Sequence, residues 1–118
     1  KTGYGAIILE GEKVIYEISG RLNKEEVQGT KQVAGELFAT MESIKWCVNH
    51  SIKKVKLHYD YTGIEYWATG LWKANIPVTQ KYKEFMQKSD LTIDWIKVKS
   101  HSGNKWNEKA DQLARDAI

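Results

Sequence analysis

The chain has 118 residues, enough for one compact domain and too few for two of ordinary size. With 42% hydrophobic and 28% charged residues, nine glycines and a single proline, the composition excludes disordered, fibrous and linker-divided organisations. Eighteen Lys and Arg against fifteen Asp and Glu leave a formal charge of +3 and a pI near 8.9, compatible with a polyanionic partner without demanding one. Sixteen of those eighteen bases are lysine, which suits phosphate contact as point charges better than planar base-edge readout. The longest apolar runs, such as Ala6-Ile7-Ile8-Leu9, fall far short of a bilayer span, so no membrane association is expected. The lone Cys47 excludes an internal disulfide and a cysteine-built zinc site; a reduced, buried thiol in a cytoplasmic protein is the expectation.

In chain order, residues 4–10 (YGAIILE) read as an apolar strand and 13–19 (KVIYEIS) as an alternating one. Gly11-Glu12 between them has the composition of a tight turn, so the two predict an antiparallel hairpin. Residues 20–31 are polar and read as a connection. From about Val33 to Asn49 the period becomes helical, with Leu37, Met41, Ile44 and Val48 on one stripe. Residues 54–60 (KVKLHYD) alternate again. Helices are predicted near 63–74 and 79–88, with Pro77 marking the break between them. Residues 91–99 form the last strand, and 105–117 a closing helix striped by Trp106, Ala110, Leu113 and Ala117. The order β-β-α-β-α-α-β-α implies an α/β domain with a mixed sheet flanked by helices.

Three acidic residues stand apart by position. Glu36 lies early in the first long helix, next to the apolar stripe. Asp60 ends the strand KVKLHYD at its carboxyl end, where open α/β sheets place ligands. Asp111 lies on the closing helix, one turn after Asn107 and Glu108. Each also has an ordinary role open to it: a helix N-terminal acid, a cap, or a partner for Arg115. Periodicity alone does not bring the three together. His50, near a helix end, and His58, on the outward side of a strand, read as structural.

The strings GELFAT (35–40), HYDYTGI (58–64) and VKSHSGNKWNEKADQLA (98–114) resemble type 1 ribonuclease H, in the family's order and at sensible spacing. The last is the most specific, carrying the K-x-H-x-G-x-x-x-N-E-x-A-D-x-L-A pattern. YDYTGIEYWATGLWKAN is particularly similar to the ribonuclease H domains that occur with a viroplasmin-type module. The resemblance covers residues 1–118 as one domain and implies a ribonuclease H-like fold with a mixed five-stranded sheet. It also implies endonucleolytic hydrolysis of the RNA strand of RNA/DNA hybrids by a two-metal-ion mechanism. Glu36, Asp60 and Asp111 match three of the family's four acidic metal ligands, for two Mg²⁺ ions with Mn²⁺ an alternative. His101 matches the mobile-loop histidine, a proton carrier or product-release aid. Gln32, Trp72, Lys73 and Asn107 take substrate-binding positions.

Two departures qualify that picture. The family's central first strand, with the fourth carboxylate in a D-G-S-type turn, has no counterpart in the sequence. The expectation is therefore a fragment, a monomer unless another chain supplies the strand, with a gap between residues 4–10 and 54–60. Ahead of the helix glutamate, where the family places small amides, the sequence reads Thr30-Lys31-Gln32-Val33, and only Gln32 retains one. These departures keep a second reading open, a ribonuclease H-fold nucleic-acid-binding or scaffold module without catalysis. A related two-metal nuclease with another substrate is a third. A fused or separate hybrid-binding module is compatible with all three.

Overall fold

The computed structural model describes residues 2–23, 31–99 and 105–117, with the backbone alone at residues 31 and 32. Its elements are β1 (Thr2–Glu10), β2 (Lys13–Leu22), α1 (Lys31–Asn49), β3 (Lys54–Tyr59), α2 (Gly63–Thr69), α3 (Pro77–Lys88), β4 (Thr92–Lys97) and α4 (Lys105–Asp116). The order matches the sequence reading; several ends do not. β2 runs to Leu22 because Gly20, Arg21 and Leu22 keep pairing across to Tyr4, Gly3 and Thr2, and Leu22 is buried. α2 stops at Thr69, five residues short of the expected end, because Gly70 adopts the left-handed conformation that closes a helix. Pro77 opens α3 instead of separating it from the preceding segment, since proline fits the first helical turn.

β1 and β2 form an antiparallel hairpin around a two-residue turn, with a bulge at Ile8/Leu9. β3 and β4 pair in parallel, Val55 opposite Ile93 and Leu57 opposite Trp95. The four strands thus make two ladders of different sense, and β1 does not pair with β3. The gap expected between residues 4–10 and 54–60 is thus present, and the described strands form two ladders rather than one continuous sheet, with helices holding them together.

α1 does most of that joining. Ala34, Leu37, Phe38, Met41 and Ile44 are buried along one face, and the core they start includes Leu22, Tyr59, Ile64, Ala68, Val78, Tyr82 and Met86. Val48 does not finish the stripe; it is half exposed, and Cys47 is buried at that end instead. Tyr82 is fully buried and donates its hydroxyl proton to the carbonyl of Ile64 at 2.6 Å, fixing α3 to the start of α2. Desolvation raises its pKa well above the usual phenol value.

Two glycines let helices approach β1 closely. A Cβ on Gly35 would fall 2.7 Å from the carbonyl oxygen of Gly3, so α1 lies against β1 at the residue before Glu36. A Cβ on Gly5 would fall 2.5 Å from the carbonyl oxygen of Ala110 and 2.7 Å from Cβ of Leu113. The α4 stripe predicted from Ala110 and Leu113 therefore faces β1. Two further links hold this end of the fold, an ion pair of Lys109 with Glu17 at 2.9 Å and an Arg21 side-chain donation to the Ala117 carbonyl at 3.1 Å.

Candidate active site

Glu36 sits on α1, one residue beyond the Gly35 contact with β1, and is partly buried. Asp60 follows the last residue of β3, and Asp111 lies in the middle of α4. Three elements far apart in sequence thus carry one acid each to the same region. Burial is the main reason that the Glu36 carboxyl is pushed up from 4.5 to about 8. The charge of Asp60, a side-chain hydrogen bond to Asp60 and the charge of Asp111 raise it further. At neutral pH Glu36 thus tends to keep its proton and donate it to Asp60.

Within that region the contact is tightest between Glu36 and Asp60, and Asp111 adds its charge. Among the described residues, no three His, Cys, Asp or Glu side chains stand close enough to hold one ion. Asp111 acts on Glu36 through its charge, which disfavours ionisation of the Glu36 carboxyl.

Asp60 is tied on two sides. The side-chain amide of Asn107 donates to Asp60 Oδ2 at 3.3 Å, across 47 residues of sequence. Asn107 is one helical turn before Asp111, so a single face of α4 presents an amide and a carboxylate toward the ends of α1 and β3. The residue before Asp60, Tyr59, donates its hydroxyl proton to Glu65 in the first turn of α2. Desolvation, together with that carboxylate, pushes the phenol up to about 12. This link fixes the strand-to-helix turn that aims Asp60. The sequence offered no sign of Glu65's role, because the contact depends on how α2 turns back over β3.

The other positions named from sequence are less completely placed. Trp72 is 36% exposed and packs edge-on against Tyr61, Tyr66 and Trp67, with ring centroids 5.4–6.2 Å away. It is therefore a surface residue anchored by aromatic neighbours, one of which follows Asp60 directly. Lys73 beside it is exposed. Gln32's side chain and all of His101 lie outside the described residues. His50 stacks on Trp46 at 3.9 Å, in keeping with a structural role, and His58 lies on β3.

Comparison with known proteins finds similarity along the whole chain. The family model described as RNase H matches residues 1–118. The Ribonuclease H of Syntrophomonas wolfei is 31% identical over 98% of this chain and 84% of its own length. That of Francisella philomiragia is 34% identical over 98% and 80%. Among solved structures, the N-terminal RNase H domain of a Mycobacterium tuberculosis protein superposes with a TM-score of 0.77 over 98% of this chain and 86% of its own. At 22% identity that likeness speaks for the fold alone. A family match from the first residue to the last, with the α/β fold to accompany it, makes this chain a member of the ribonuclease H family.

Proposed function

We propose that this chain is an endonuclease that hydrolyses the RNA strand of RNA/DNA hybrids, with Glu36, Asp60 and Asp111 drawing closer on binding to serve as oxygen ligands of two divalent cations, Mg²⁺ or Mn²⁺. The observation that carries the reading is the Glu36–Asp60 carboxyl pair, sharing a proton under the field of Asp111, in a chain of this family. A carboxyl held protonated near neutral pH by burial first, and further by two acidic neighbours, is a place where positive charge is welcome. The donors are all oxygen, the set that hard divalent cations take.

Bound there, such cations would make a nucleophilic water available near neutral pH and neutralise charge on the leaving 3′-oxygen. The remaining work belongs to the chain's own side chains. Glu36 releases its proton to become a ligand, while Asn107 and the Tyr59–Glu65 link keep Asp60 oriented. His101 carries a proton to or from the reacting oxygens, which a histidine does readily near neutral pH. Gln32 reads a 2′-hydroxyl, the group that separates RNA from DNA at a given site. Lys73 binds phosphate, and the exposed ring of Trp72 packs on a sugar of the DNA strand.

The test is cleavage of end-labelled RNA/DNA hybrid, duplex RNA and duplex DNA by the full-length protein, in Mg²⁺, in Mn²⁺ and in chelator. The expected outcome is metal-dependent cutting of the RNA strand of the hybrid alone. Hybrid binding without cleavage would favour a non-catalytic binding module. Cleavage of duplex DNA would point to a related nuclease with a different substrate.

A further inference from the structure

Resting on the nuclease reading above, we propose that Asn107 is a positioning residue for Asp60 rather than a contact for the nucleic acid. The amide reaches Asp60 Oδ2 directly, 3.3 Å away, from the first turn of α4. A carboxylate that must serve as a metal ligand can rotate about its Cβ–Cγ bond, and a donor held to one oxygen limits that rotation. The donor here is neutral, so it restrains Asp60 without neutralising the charge a cation needs. Its own place is fixed as well. α4 docks on β1 where Gly5 lacks a side chain, and the Lys109–Glu17 ion pair anchors the next turn.

The same helix face carries Asp111 four residues later, about 6 Å along the axis. One rigid element therefore delivers a prospective ligand, Asp111, and the restraint on another, Asp60. The orientation of Asp60 is coupled in this way to the docking of α4, although the two are far apart in sequence. Partners that orient metal ligands typically change metal affinity by ~10–100-fold when removed.

The experiment compares wild type, Asn107→Ala and Asn107→Gln in the full-length protein. Ca²⁺ affinity is measured by calorimetry without substrate, and hybrid affinity at saturating Ca²⁺. Thermal melting of each variant identifies any that fails to fold. For Asn107→Ala the expected result is a loss of Ca²⁺ affinity of ~10-fold or more with hybrid affinity unchanged. Asn107→Gln, which keeps the donor on a longer arm, should recover part of that loss. Weakened hybrid binding with unchanged Ca²⁺ affinity would overturn the proposal and make Asn107 a substrate contact. Wild-type behaviour of Asn107→Ala in both measurements would overturn it too. A wild type that binds Ca²⁺ but cleaves no hybrid would refute the nuclease reading alone. The Ca²⁺ comparison would then still decide the role of Asn107.

Discussion

Gly5 of β1 lies beneath Ala110 of α4 so closely that a single methyl group on it would fall 2.5 Å from the Ala110 carbonyl oxygen. That atom belongs to helix backbone and cannot swing aside as a flexible side chain could. Gly5→Ala should therefore push α4 away from β1, lowering stability by about 1–3 kcal/mol, the usual range for overpacking. Because α4 carries Asn107 and Asp111, cleavage should fall by more than the unfolded fraction accounts for. Denaturant unfolding and hybrid cleavage on the same preparation check both parts; a stable, fully active Gly5→Ala variant would contradict the close docking.

The Glu36 carboxyl sets an expected pH dependence of stability without metal. With its pKa raised from 4.5 to about 8, the folded protein holds more protons than the unfolded chain between those values. Its stabilising contribution is complete below pH 4.5 and is lost as the pH rises through about 8. Partial exposure discounts the size to about 2 kcal/mol. Unfolding measured in chelator from pH 5 to pH 9 should show the decline, and Glu36→Gln should flatten it. Divalent cations should oppose the loss, since they replace the proton that departs.

Much of this arrangement was legible in the sequence, for identifiable reasons. Strands and helices announced themselves because Val55, Leu57 and Tyr59 alternate while Leu37, Met41 and Ile44 recur at helical spacing. Helix ends were less legible, because Gly70 and Pro77 act through backbone conformation: the first stops α2, and the second starts α3 where a break was expected. The acidic positions stood out singly by their place in helix and strand, but only the motif strings joined them, since nothing in local periodicity relates Glu36 to Asp60. The tie from Asn107 to Asp60 was beyond sequence reasoning. It depends on the docking of α4, which depends in turn on a missing side chain at Gly5, 102 residues earlier in the sequence.

Tyr82→Phe separates fold from chemistry. The substitution removes one oxygen and leaves the Ile64 carbonyl without the donor that reaches it at 2.6 Å in a fully buried setting. Leaving a buried acceptor unsatisfied costs about 1–3 kcal/mol. Thermal unfolding should register that loss, whereas Mg²⁺-dependent cleavage at a temperature well below the transition should remain near wild type. A large fall in turnover from a fully folded variant would mean that the α2–α3 contact bears on the site more directly.

Asp60→Asn tests the centre of the site. Asparagine keeps the size and one oxygen, and its geometry still allows contact with Asn107, but the negative charge is gone. Hybrid cleavage in Mg²⁺ should fall by several orders of magnitude, because a neutral amide holds a divalent cation poorly and the chemistry depends on that cation. Hybrid binding, which rests on lysines and phosphates, should persist or tighten slightly as a repelling carboxylate disappears. The same substitution should lower the pKa of Glu36, since the charge of Asp60 is among the causes that raise it. The descent should be partial, because burial is the largest cause and does not change. Single-turnover cleavage, binding in Ca²⁺ and an NMR titration of the Glu36 carboxyl give three independent readouts. Unimpaired cleavage would remove Asp60 from the metal site, and an unmoved Glu36 titration would show that the two carboxyls are not paired in solution.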